Sequence, residues 1–209
     1  RNITSGKHHT IMGYRAGQAM TTTSETVLIG SEAGYAINST NGNGTIAIGY
    51  QAGKAITSGY SNTFIGYKSG LLVNGSYNTL LGYEAGYSGS GASENAVVGY
   101  QAGYHLRDGD KNTIMGYHAG YNLRDTFEHV AIGYKSLYTL ESLNEDGDGY
   151  DYGQSRSTAV GAYALHLAED IGETYAGNTA VGHSAGYRGG SNIAFGGNVY
   201  VGNDAGYWH

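Results

Sequence analysis

The chain has 209 residues, with 37 Gly, 21 Tyr, no Pro and no Cys, and a formal net charge of −6 from 11 basic and 17 acidic side chains. Hydrophobic residues at 40% and aromatics at 12% are too abundant for a disordered glycine linker, and Gly at every third position, the mark of collagen, is missing. The lack of cysteine excludes disulfides and thiolate chemistry, the acidic balance argues against a nucleic-acid groove, and no run of ~20 apolar residues is present to span a membrane.

Residues 1–8 read as a lead-in, and a repeat begins at residue 9. HTIMGYRAG (9–17), TVLIGSEAG (26–34), TIAIGYQAG (45–53), NTFIGYKSG (62–70), NTLLGYEAG (78–86), NAVVGYQAG (95–103), NTIMGYHAG (112–120) and HVAIGYKSL (129–137) align without gaps. Degenerate copies follow at 157–165, 178–186 and 198–206, with a compressed partial copy at 192–197. The first Gly recurs at 13, 30, 49, 66, 82, 99, 116, 133, 161, 182 and 202, a step near 17 with longer excursions. One short unit per step, with insertions confined to loops, is the pattern of a solenoid.

Each unit is too short and too rich in Gly for a helical pair, whereas brief β-branched runs bounded by Gly, Asn and Ser read as strands and turns. The expected fold is an all-β parallel β-solenoid of about 11 coils over residues 9–206. Each coil is expected to hold two short strands, and the rod to reach on the order of 50 Å. The longest insertion is a loop at 138–156, and 207–209 form the C-terminal end.

The residue just before the Gly is always aliphatic or Met (Met12, Ile29, Ile48 and onward to Val201). This column is expected to fill the interior. The column two before the Gly (Ile11, Leu28, Phe64, Leu80, Val97, Ile114 and Tyr200, with Ala in four units) would then face outward and need a partner surface, unless a turn rotates both columns inward. Three after the Gly only Ala or Ser occurs, as a tight corner requires. Asn62, Asn78, Asn95, Asn112, Asn178 and Asn198 recur four before it and are expected to hydrogen-bond along the axis. Thr recurs one residue later, in a column too broken by Val27, Ile46, Ala96 and Val130 to read as an ice-binding array.

The unit N-T-x-(I/L/V/M)-G-Y-x-A-G resembles the NTAVGYQAL-type repeats of phage and phage-like tail-fibre proteins. It is similar, more loosely, to the SVAIG-type repeats of trimeric autotransporter adhesin heads. The resemblance covers residues 9–206, although the corner is mostly Ala-Gly where the family has Ala-Leu. It implies a homotrimer, intertwined or side by side, located outside a cell or on a virion surface. Repeats run to residue 206 without a capping unit of different composition. That is read as either missing flanking domains or end-to-end stacking into a filament.

Candidate sites are few. Tyr14, Tyr50, Tyr67, Tyr83, Tyr100, Tyr117 and Tyr134 follow the first Gly directly; stacked rings offer either a structural ladder or a platform for cell-surface glycan. A second Tyr column stands five after the Gly, from Tyr35 to Tyr207. In the acidic insertion Asn144, Asp146, Asp148 and Tyr150 match the opening of a Ca²⁺ loop, with Asp151 replacing the absent terminal Glu. No other cofactor is expected. Asn2, Asn38, Asn43 and Asn74 head glycosylation sequons. No nucleophile elbow, metal-spaced His set or close carboxylate pair is found, so no enzyme is expected. The expected function is a structural or adhesive extracellular fibre segment, a rigid rod partnered with copies of itself. The alternative is a glycan-binding or polysaccharide-cleaving receptor fibre of a phage.

Overall fold

The computed structural model describes residues 5–38, 42–124, 126–141, 156–169, 177–189 and 197–207. The fold is an all-β parallel β-solenoid. Eleven three-residue strands stack into one sheet: β1 (Thr10–Met12), β2 (Val27–Ile29), β3 (Ile46–Ile48), β4 (Thr63–Ile65), β5 (Thr79–Leu81), β6 (Ala96–Val98), β7 (Thr113–Met115), β9 (Val130–Ile132), β11 (Thr158–Val160), β13 (Thr179–Val181) and β15 (Val199–Val201). Every pair is parallel and in repeat register, as in Thr63↔Thr79, Phe64↔Leu80 and Ile65↔Leu81. The repeat therefore fixes the pairing as well as the period.

The second strand of each coil forms in only part of the rod. β8 (Asn122–Leu123), β10 (Thr139–Glu141), β12 (Leu167–Glu169) and β14 (Arg188–Gly189) make a four-stranded parallel sheet. In the preceding coils the same side runs through turns, although its backbone still bonds from coil to coil, as in Leu72 N–H to Tyr87 O at 3.0 Å. Those positions hold pairs such as Ala36–Ile37, Ala55–Ile56 and Leu72–Val73, whose second side chain still enters the core. Among the described residues no helix is long and apolar enough to cross a membrane.

The two faces of the main sheet are the reverse of the sequence expectation. The column two before the Gly is inside: Leu28, Ala47, Phe64, Leu80, Val97, Ile114, Ala131, Ala159 and Ala180 are all buried. The column just before the Gly is outside, with Met12, Leu81, Met115, Val181 and Val201 exposed. The reason is parity. In a strand, side chains two apart share a face, and the buried Asn column lies two residues before the buried apolar one. Opposite it, Met20, Ile37, Ile56, Val73, Leu106 and Leu123, seven residues after the Gly, close the core.

The corner between these walls is tight, as the small column requires. Ala16, Ala33, Ala52, Ala85, Ala102 and Ala119 have no exposed surface. Gly82 shows why the first Gly is obligatory: its φ is +141°, and an added Cβ would lie 2.2 Å from the carbonyl oxygen of Gly99 in the next coil. Leu137 and Leu165 take left-handed backbone (φ 45° and 47°) where other units have Gly. Their side chains are buried in the core, which offsets a conformational cost of roughly 1–2 kcal/mol.

Candidate functional site: stacked side-chain ladders

In-register stacking turns each column of the repeat into a ladder. The buried ladder is polar. The Asn78 backbone N–H and Nδ2 both donate to Asn62 Oδ1 (2.9 and 3.1 Å), and Nδ2 also donates to Ala92 O at 2.7 Å. The same pattern links Asn95 to Asn78 and Asn112 to Asn95. His129 takes the next rung: its N–H donates to Asn112 Oδ1 at 3.0 Å, and its Nδ1 accepts from Ser157 N–H at 3.1 Å. Asn198 repeats the arrangement on Asn178. The side chains thus satisfy the backbone of the strand entrance without water.

The first Tyr column is a surface ladder. Successive rings from Tyr50 through Tyr67, Tyr83, Tyr100 and Tyr117 to Tyr134 lie 4.9–5.3 Å apart with interplanar angles of 7–19°. Each ring covers its neighbour's face, so along this run solvent meets ring edges and hydroxyls. A sugar stacking on a flat face has no access within the run. Tyr163 ends it edge-on to Tyr134, at 5.2 Å and 74°. Tyr14 stands apart from the run because Ser31 occupies the rung between it and Tyr50.

The second ladder runs through Tyr87, Tyr104, Tyr121 and Tyr138 at 4.8–5.2 Å. It continues through His166 to Tyr187 and Tyr207. His166 is a rung that reading the column as Tyr alone misses; its aromatic ring at the same offset from the Gly was the available signal. Burial pushes the His166 pKa down, and burial likewise raises the phenols of Tyr104 and Tyr121.

Between the two Tyr ladders runs the polar column two after the Gly. Arg15, Glu32, Gln51, Lys68, Glu84, Gln101, His118 and Lys135 all take left-handed backbone, with φ from 47° to 58°. Their side chains join neighbouring coils. Gln51 Nε2 donates to Glu32 Oε2 at 2.8 Å, Lys54 Nζ reaches the same oxygen at 2.8 Å, and Gln101 Nε2 donates to Glu84 Oε2 at 2.8 Å. Hydrogen bonds from Lys54 and then Gln51 hold the Glu32 carboxyl below its ordinary pKa. His118 Nε2 pairs with Gln101 Oε1 at 2.8 Å, and burial lowers its pKa, aided by Lys135. Carboxylates tied up in this way serve the scaffold.

Comparison with protein-family models, curated proteins and solved structures finds no match to this chain. Its functional reading therefore rests on its own geometry.

The described concavity nearest to catalytic chemistry is a shallow cavity of about 440 Å³ lined by His183, Ser184, Asp204 and Tyr207. Ser184 Oγ lies 3.0 Å from His183 Nδ1, and Asp204 Oδ1 lies 3.8 Å from the same nitrogen. A catalytic triad needs the serine and the carboxylate on opposite ring nitrogens, and here both lie on the Nδ1 side. Among the described residues no group of three metal-ligating side chains converges.

The Ca²⁺ candidates Asn144, Asp146, Asp148, Tyr150 and Asp151 lie outside the described residues, as do Asn2 and the partial repeat up to residue 196. Two other sequon asparagines are built into turns. Asn43 Oδ1 accepts from Ser24 N–H at 2.7 Å, while Asn74 Oδ1 accepts from the N–H groups of Thr57 (2.7 Å) and Ser58 (2.9 Å). Asn38 is exposed, and its carbonyl accepts a hydrogen bond from the Thr21 hydroxyl.

Proposed function

We propose that this chain is a structural, adhesive fibre segment: a rigid β-solenoid whose outer sheet face packs against further copies of itself. One observation carries the reading. The outer face of the eleven-stranded sheet is apolar or β-branched from end to end, pairing Thr10, Val27, Ile46 and Thr63 with Met12, Ile29, Ile48 and Ile65, and so on to Val199 and Val201. Two outward side chains on each of eleven strands make 22 residues. One side of a standard protein interface contributes roughly 20–30. The column just before the Gly is aliphatic or Met on all eleven strands, and a monomeric surface rarely leaves so long an apolar row in water.

Three copies around an axis parallel to the rod would each turn one such face inward. The homotrimer follows the resemblance of the repeat to tail-fibre sequences, as does a location outside the cell or on a virion. Absent proline supports the rod, because each coil must donate N–H groups to its neighbour. The edge-on Tyr ladder weighs against a glycan platform as the primary role. Sedimentation velocity with electron micrographs of the same sample tests the proposal. An elongated species near three times the 21.9 kDa chain mass is expected, and a monomer at all concentrations would overturn it.

A further inference from the structure

The first Tyr ladder lacks one rung, and the consequences are local and specific. Tyr14, Ser31 and Tyr50 occupy equivalent positions in successive coils. Glu32 N–H donates to Tyr14 O at 2.7 Å, and Gln51 N–H donates to Ser31 O at 2.9 Å. The strands beside them keep the register Met12↔Ile29↔Ile48. Tyr14 and Tyr50 are therefore two coil steps apart, about 10 Å. A ring placed midway would stand about 5 Å from each, matching the 4.9–5.3 Å spacing of the intact ladder. Among the described residues no ring stacks on Tyr14, which is 66% exposed, against 43% for Tyr50.

We propose that the Ser31 step is a binding slot for one flat aromatic ring bearing a carboxylate. Shape selects the ring. The rings from Tyr50 to Tyr134 are offset-stacked and nearly parallel, so a rung of this ladder is one planar ring thick, whereas a puckered pyranose is thicker. Charge selects the substituent. The Arg15 guanidinium lies over the Tyr14 ring, 5.2 Å from its centroid, and feels the Glu32 carboxylate at a distance, but makes no ion pair among the described residues. Glu32, the nearby carboxylate, is already held by Lys54 and Gln51 at 2.8 Å. Arg15 and Lys54 against Glu32 leave a net positive charge beside the slot. The Ser31 hydroxyl supplies a small polar floor that a full-sized rung would cover. The slot does not depend on the assembly proposed above, because both of its walls belong to one chain.

The test is an NMR titration of the whole chain with 4-hydroxybenzoate, following the ring signals of Tyr14 and Tyr50. A saturable 1:1 shift confined to these rings is expected. Ser31→Tyr fills the missing rung, so binding should weaken about tenfold or more, while the melting temperature stays at or above that of the parent. Arg15→Gln should weaken binding about threefold, and added salt should shrink that difference. Ser31→Tyr binding as tightly as the parent would overturn the slot, as would methyl β-glucopyranoside competing as well as the aromatic acid. Absence of any saturable shift at Tyr14 and Tyr50 would overturn it too.

Discussion

Leu80 and Leu81 are neighbours in one strand and face opposite sides of the sheet: Leu80 is 1% exposed in the core, and Leu81 is 43% exposed on the outer face. The same alternation recurs along the rod and separates the side chains that hold a coil together from those on the outer face. Leu80→Ala should destabilise the chain by about 2–5 kcal/mol, the range for a large-to-small change in a packed interior. Leu81→Ala should leave the stability of an isolated chain within about 0.5 kcal/mol. Urea midpoints of the two variants, compared at low protein concentration, check this.

The Asn ladder makes a sharper demand. Asn95 Nδ2 donates to Asn78 Oδ1 and Gly109 O, while Asn95 Oδ1 accepts from Asn112. Asn95→Ala leaves several buried groups unpaired, at about 1–3 kcal/mol each. Asn95→Asp is expected to be at least as damaging, because it turns a lone pair toward the Gly109 carbonyl. Chemical denaturation ranks the two. A stable aspartate variant would contradict the assigned donor direction.

The stacked glycines allow a controlled comparison. Gly82 and Gly202 have similar backbones, with φ of +141° and +126°, but a Cβ on Gly82 meets the next coil at 2.2 Å whereas one on Gly202 meets nothing within 4 Å. Gly202→Ala should therefore cost only the backbone strain, about 1–3 kcal/mol. Gly82→Ala should cost more than about 4 kcal/mol, since no flexible side chain can yield there. Equal losses in thermal melts would rule out coil-to-coil crowding as the cause.

Stability should fall on mild acidification. Burial lowers the pKa values of His105, His118 and His166 from the ordinary 6.5. The unfolded chain then takes up protons before the folded chain does. Their contribution is complete above about pH 6.5 and declines as the pH falls toward the depressed folded values. Burial raises the Asp110 pKa, an effect of opposite sign that belongs to the lower carboxylate range. Urea midpoints at about pH 7.5 and pH 5.5 should differ in this direction. His118→Gln, which can keep the bond to Gln101, should flatten the difference.

The period, the strand positions, the small corner and the Asn column were all legible in the sequence, because each is a column of one residue type. The orientation of the sheet faces was not. Both columns flanking Leu80 and Leu81 are apolar, so alternation alone has two solutions. The deciding signal was the buried Asn column, whose parity matches Leu80. The left-handed backbone at Glu32, Gln101 and His118 left no compositional mark, since the mixed side chains there are tied by coil-to-coil hydrogen bonds. His166 was hidden because a ring, rather than tyrosine itself, is what the second ladder requires.

The account stands or falls on the outer face, and light-scattering mass measurement of Ile65→Lys/Leu81→Lys beside the parent chain tests it most directly. Both positions sit on the outward side of adjacent strands, so the coil itself should tolerate the lysines and keep its circular dichroism. The account expects a parent mass near three chains of 21.9 kDa and a folded variant reduced to a single chain. An assembled variant, or a parent that is already monomeric, would contradict it.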